Sequence, residues 1–215
     1  MKKDTQIDRY KIVAPLHKGP YFVDYRVVDE NDTKHYMRLI NPAKLDEVQF
    51  VPGSFSLTEQ TIDKDITHPN IVRQSDVGEV VIEGQRYNYI VRDFFPGEML
   101  SDKLSREGLC TVYDVRHIIN GVLNALKFLH SQLEPLIYNH IDPSGILLDI
   151  SGQDIRAVLC DFGHAQRLNC EHRRSFLSGL SPYYMAPEMF KGFYSTRTDL
   201  YAVGALMYHL IFGIE

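Results

Sequence analysis

Hydrophobic spacing changes part-way along this chain, and that change constrains the fold more than any other feature. In the first half, residues 10–16, 23–28, 34–40, 77–82 and 87–93 are short runs rich in β-branched and aromatic side chains, the composition of strands. Asp29-Glu30-Asn31-Asp32 and Glu83-Gly84-Gln85 supply turns between consecutive runs. Residues 54–66 interrupt the strands with helical spacing, stopped by His68-Pro69-Asn70. In the second half the period lengthens: over residues 112–131, Val115, Ile118, Ile119, Val122, Leu123, Leu126 and Leu129 form a helical stripe. Strands with one helix, then helices, predict an α+β chain in two parts. Phe95-Pro96-Gly97 between them is a hinge candidate.

At 215 residues, 44% apolar and 24% charged, the chain is long enough to bury a substantial core. A formal charge of -5 gives no reason to expect nucleic acid or an anionic membrane as partner. No apolar run approaches a membrane span, and Met1-Lys2-Lys3-Asp4-Thr5-Gln6 lacks the apolar core of a signal peptide. Cys110, Cys160 and Cys170 are scattered, without metal-ligand spacing, which suits reduced thiols in a cytoplasmic protein. Residues 200–212 form a mostly apolar helix that needs burial on most of its surface, an expectation that fits the front part of a longer protein.

The chemistry-bearing stretches occur in a fixed order. Leu16-His17-Lys18-Gly19-Pro20-Tyr21-Phe22-Val23-Asp24 is a turn region between strands, and Tyr36-Met37-Arg38 ends a later strand. Glu59 lies nine residues before His68-Pro69-Asn70-Ile71-Val72. Tyr138-Asn139-His140-Ile141-Asp142-Pro143-Ser144-Gly145 precedes an aliphatic run, followed by Asp161-Phe162-Gly163, Ala186-Pro187-Glu188 and a helix opened by Asp199. In that order and with those intervals, the set resembles the eukaryotic-type protein kinase superfamily, as a degenerate member. The resemblance implies an α+β, two-lobed fold: an antiparallel β-sheet N-lobe with one helix over residues 1–95, and a mainly helical, incomplete C-lobe over 96–215.

Several positions depart from the family pattern. Against the glycine-rich loop that covers ATP phosphates, one glycine of three survives, Gly19; Pro20 has no N–H to donate and Phe22 is bulky. An ordinary hairpin turn is the preferred reading there. Where the family sandwiches adenine between Val and Ala, this chain has Asp24 and Tyr36. A carboxylate against an apolar base is costly to desolvate, and the Tyr ring would plug the pocket as core. Leu147, at the pocket floor, stays suitable. Arg92 stands at the position that limits the back of the pocket, with a solvated strand-end side chain as the alternative. Arg38 replaces the ATP-contacting Lys and is read as a structural, bidentate partner of Glu59.

In the catalytic loop, against H-R-D-L-K-P-x-N, Tyr138 takes the His place, Asn139 the Arg place, His140 that of the catalytic Asp, Asp142 that of the Lys and Gly145 that of the metal-binding Asn. Asp161 can hold a single Mg²⁺, whereas Gly145 removes the ligand for a second. Reading His140-Ile141-Asp142 as H-x-D restores an Asp, at the cost of a deletion before Pro143. Asn139 leaves activation-segment phosphates at Ser175, Ser178 or Ser181 without their usual receiver; Arg173 and Arg174 are candidate substitutes, with a solvated loop as the preferred reading. Tyr138, Phe162, Glu188 and Asp199 are architectural: a stacked spine, an anchor for the activation segment and a brace beneath the catalytic loop.

These departures imply a pseudokinase, acting on a protein partner or a further domain of the same chain, with no cofactor expected. The alternative is an active or weakly active Ser/Thr kinase that uses Mg-ATP and a displaced base. A transferase of other chemistry, such as nucleotidyl transfer, is a third reading.

Overall fold

The alternating runs become one antiparallel sheet in a computed structural model of the protein, which describes residues 1–45, 50, 56–62, 66–150, 152, 154–168 and 179–213. The chain divides into two compact units, residues 1–66 with 73–94 and residues 67–72 with 95–215. The short stretch 67–72 thus belongs to the second unit although it lies within the first in sequence.

In the first unit, strands β1 (Gln6–Ile7), β2 (Tyr10–Lys18), β3 (Phe22–Val28), β4 (Lys34–Ile40), β5 (Gln74–Ile82) and β6 (Gln85–Asp93) form a six-stranded sheet in the order β1-β2-β3-β4-β6-β5. Every neighbouring pair is antiparallel. Side chains alternate across the pleat. One face buries Ile7, Tyr10, Ile12, Tyr25, Val27, Met37, Leu39, Tyr89 and Val91 as a core. The opposite face carries Asp24, Arg38 and Arg92, with Ile40, Ile90 and Leu57 as its apolar centre. Helix α1 (Thr58–Ile62) follows Leu57. The helical expectation for 54–66 is met over these five residues, and residues 54, 55 and 63–65 lie outside the described ones.

The second unit contains α2 (Leu100–Glu107), α3 (Val112–His130) and α4 (Thr196–Phe212). Thr111 caps α3 by accepting from Asp114 N at 3.1 Å, and Ser195 with Thr198 forms a capping box at α4. The α3 stripe is buried as its spacing requires, except Leu123, which is exposed. Strands β7 (Glu98–Met99), β9 (Ile146–Asp149) and β10 (Arg156–Leu159) make a three-stranded sheet, and β8 (Leu136–Ile137) pairs with β11 (Gln166–Arg167). The antiparallel sheet with one helix and the helical second part are the α+β architecture expected from the sequence.

One expectation needs adjusting. α4 buries one face, through Thr198, Asp199, Ala202, Val203, Leu206 and Leu210, while Leu200, Tyr201, Met207, Tyr208 and Phe212 are exposed. Its apolar residues run round the helix, and the described residues cover one side. Among the described residues, no helix is long and apolar enough to cross a membrane.

Candidate functional site

The candidate residues fall into two clusters, one in each unit. In the first, strand register decides the chemistry. Asp24 and Arg38 are directly opposed across β3 and β4, so their side chains leave the same face of the sheet. Arg38 Nε donates to Asp24 Oδ1 at 2.8 Å and Nη2 to Oδ2 at 3.1 Å, a two-point fork on one carboxylate. The Phe22 ring covers the guanidinium, with Cζ of Arg38 3.9 Å from its centroid. Phe22 also closes over the turn: a Cβ built on Gly19 would lie 2.5 Å from the Phe22 ring. Gly19 N donates to Phe22 O at 3.0 Å, a tight hairpin turn between β2 and β3.

The Arg38–Glu59 ion pair expected from the sequence is present, at 3.7 Å, as a single longer contact. Glu59 Oε1 is 3.7 Å from Arg38 Nη1 and 2.7 Å from Arg92 Nη2, so the two-point contact of Arg38 goes to Asp24 and the short bond of Glu59 comes from Arg92. Opposition across the strands places Asp24 closer to Arg38 than the helix brings Glu59. Arg92 is 6% exposed, which overturns the solvated strand-end alternative. Tyr36 is half-buried and stacks on Phe94, centroids 5.3 Å apart and planes at 24°, outside the apolar core it was expected to join.

In the second unit, Tyr138-Asn139-His140 is held from below by Asp199, which is 0% exposed. Its Oδ2 accepts from Tyr138 N at 2.9 Å and lies 2.8 Å from His130 Nε2, while Oδ1 accepts from Asn139 N at 2.8 Å. Asn139 turns with φ +60°, a left-handed conformation that Asn tolerates better than most residues. Its Nδ2 donates to His164 O at 3.1 Å.

The loop then closes on Gly145. The Gly145 carbonyl accepts from Tyr138 Oη at 2.9 Å, Cys160 N at 3.1 Å and Cys160 Sγ at 3.4 Å. A Cβ at Gly145 would sit 2.5 Å from His140 O, a backbone atom with little room to retreat. The position aligned with a metal-binding Asn therefore has no space for a side chain in this conformation. Asp142 caps the short 3₁₀ turn of residues 143–145, accepting from Ser144 N at 2.7 Å and Ser144 Oγ at 2.6 Å.

His140 is 6% exposed. Its Nε2 is 3.3 Å from both Asp142 Oδ2 and Ser144 Oγ, and its Nδ1 is 3.8 Å from Asp161 Oδ2. Burial pushes the Asp142 carboxyl up, but the hydrogen bond and charge of His140 and the Ser144 donors outweigh this and leave it below its ordinary value. Asp161 Oδ1 accepts from Gly163 N at 3.0 Å within its own turn. Phe162 meets Tyr138 edge-to-face, 4.9 Å between centroids and 80° between planes, rather than in a parallel stack. Leu147 packs with Val72 and Val158. Glu188 begins a 3₁₀ turn, and its carbonyl accepts from Lys191 N and Phe193 N at 3.0 and 3.1 Å. Among the described residues, no group of three or more His, Cys, Asp or Glu side chains is arranged to hold a metal ion.

A family model described as the protein kinase domain matches residues 10–215. The chain belongs to the protein kinase domain family. It is 27% identical over 214 residues to calcium-dependent protein kinase 5 of Plasmodium berghei, covering 99% of this chain and 35% of that kinase. To the alpha chain of calcium/calmodulin-dependent protein kinase type II of Drosophila melanogaster it is 28% identical over 209 residues, covering 96% of this chain and 38% of that one. To ribosomal protein S6 kinase alpha-2 of Mus musculus it is 25% identical over 209 residues, covering 96% and 27%. The chain thus spans less than two-fifths of the length of these relatives.

Within this kinase domain the structure brings together Gly19, Asp24, Arg38, Glu59 and Arg92 in one unit, and Tyr138, His140, Asp142, Asp161, Phe162 and Asp199 in the other. Ser175, Ser178, Arg173, Arg174 and Cys170 lie outside the described residues. Four participants carried no signal as site residues: Gln60, His130, Ser144 and His164. Gln60, His130 and His164 act through contacts that spacing along the chain does not reveal, whereas Ser144 bonds Asp142 two residues away.

Proposed function

We propose that this chain is a catalytically impaired kinase domain, a pseudokinase, acting as a protein-interaction or allosteric regulatory module. The arrangement of Arg38 carries this reading. In active members of the family the equivalent Lys is a point charge offered to ATP phosphates. Arg38 instead gives its fork to Asp24 and lies under the Phe22 ring. Freeing it would break two charge-assisted hydrogen bonds, each worth about 1.5–3 kcal/mol.

Mg-ATP fits the residues poorly on the other counts as well. Phe22 occupies the space above Gly19, and the Gly145 backbone is crowded where a second metal ligand would start. His140 in the place of the catalytic Asp is buried between Asp142 and Asp161. The partner is a protein or a further domain of the same polypeptide, because fixed backbone surfaces remain where the chemistry is lost. This step is an analogy with other impaired kinase domains.

One observation favours the second reading, a weakly active Ser/Thr kinase with Mg-ATP. His140, Asp142 and Ser144 form a hydrogen-bonded group, and Asp161 keeps its carboxylate. The two readings separate in a phosphoryl-transfer assay with labelled ATP, Mg²⁺ or Mn²⁺, the chain itself and Ser/Thr peptides. The pseudokinase reading expects no transfer above that of Asp161→Ala. Transfer that Asp161→Ala abolishes would establish the second.

A further inference from the structure

Two rows of the first unit's sheet leave positive charge unanswered. Across β3 and β4, Arg26 stands directly opposite Tyr36 and Val28 opposite Lys34, so Arg26 and Lys34 are diagonal neighbours. Alternation puts both on the face that carries Asp24 and Arg38. Diagonal neighbours in an antiparallel pair are about 7–8 Å apart, within reach of long side chains. Both cations are exposed, and neither makes an ion pair among the described residues. An aromatic pair adjoins them. Tyr36 and Phe94 stack with centroids 5.3 Å apart, and Lys34 Nζ lies 5.8 Å from the Phe94 centroid. Phe94 is 36% exposed and Tyr36 half-buried, so the stack is open to a ligand.

Neighbouring acids are engaged elsewhere. Asp29 accepts from Asn31 N and Thr33 N and contacts the His35 ring, and Asp93 pairs with Arg73 at 3.3 Å. Arg92, opposite Tyr36 on its other side, is bonded to Glu59. Glu30 and Asp32 are exposed in the turn that leads into β4.

We propose that Arg26, Lys34, Tyr36 and Phe94 form a docking surface for a short acidic segment of a protein partner. Its carboxylates meet the two cations, and an aromatic or apolar side chain between them lies on the ring pair. This rests on the reading of the chain as an interaction module and names the chemistry of its partner. Two like charges set diagonally repel, and a bound carboxylate relieves that repulsion. The rings add contact area with specific geometry. A nucleic acid suits the surface less: two cations neutralise few phosphates, and Glu30 and Asp32 would oppose the rest of a continuous polyanion. The formal charge of -5 acts in the same direction.

Fluorescence anisotropy of a labelled random Glu–Tyr copolymer against the whole chain, without nucleotide, tests the surface. Binding should weaken about tenfold or more in Arg26→Gln/Lys34→Gln and about threefold in Phe94→Leu. Lys127→Gln/Arg197→Gln removes the same charge from exposed positions of the second unit and should bind within about twofold of the native chain. No binding by the native chain, native binding by Arg26→Gln/Lys34→Gln, or an equal loss in the control pair would overturn the proposal. A single-stranded oligonucleotide that binds more tightly than the copolymer, and is lost in the same variants, would overturn it in favour of nucleic acid. Phosphoryl transfer is read separately. Transfer sinks the impaired-domain reading, whereas absence of copolymer binding without transfer sinks this surface alone.

Discussion

Asp24 lies directly across the strand pair from Arg38 and takes both ends of its guanidinium fork, at 2.8 and 3.1 Å. A residue expected to disturb an apolar pocket turns out to be a two-point partner of Arg38. Asp24 is 22% exposed at its side chain and Arg38 9%, so the pair is weakly screened without being fully desolvated. Asp24→Ala should lower stability by about 2 kcal/mol in urea denaturation, and Asp24→Val/Arg38→Met should regain part of that loss. A loss below a few tenths of a kcal/mol would mean that the fork contributes nothing.

Gly145→Asn should fail to restore a metal site. The new Cβ would press on His140 O and displace the carbonyl that binds Tyr138 and Cys160, at a cost of about 1–3 kcal/mol. Thermal unfolding should report the loss, and calorimetry with Mg²⁺ or Mn²⁺ should report no gain. Metal binding by this variant would show that the loop relaxes.

Asp199 satisfies Tyr138 N, Asn139 N and His130 Nε2 from a fully buried position. Asp199→Ala strands those donors and should cost about 3 kcal/mol or more, with faster amide exchange at residues 138–140. Asp199→Asn, which keeps one acceptor oxygen, should cost less.

Stability should fall on acidification in two stages. Burial holds His68 and His209 below the ordinary imidazole value of 6.5. Between their folded values and 6.5 the unfolded chain binds more protons, so stability is lost as pH falls below 6.5. His68 Nδ1 accepts from Asn70 N at 3.1 Å, and His209 Nδ1 lies 2.5 Å from Tyr184 Oη, bonds that suit neutral rings. Asp142 is held below its ordinary 3.8, so its contribution is complete above that pH and disappears as pH falls through its folded value. Urea titrations from neutral pH to acid check both, and His68→Asn should flatten the first stage.

The fold was legible because alternation in residues 34–40 and the stripe from Val115 to Leu129 are periodic signals that tertiary packing needs. α2 was not, because Leu100 and Lys103 are the buried residues of an otherwise polar segment. Two-residue strands such as β7 and β8 are too short to carry a period. Asp24, Arg38 and Arg92 stood out one by one as departures from a pattern, and Glu59 as a match to it. Their actual pairing depended on strand register and on where α1 lies, which distances along the chain do not encode. Crowding at Gly145 was hidden for a similar reason: it comes from the path of the His140 backbone, whatever the side chains.

Calorimetric titration of this chain with ATP, with and without Mg²⁺, tests the central claim most directly. An Arg38 held by Asp24 and capped by Phe22 predicts no heat at millimolar nucleotide. Micromolar, Mg²⁺-dependent binding that is lost in Asp161→Ala would contradict it.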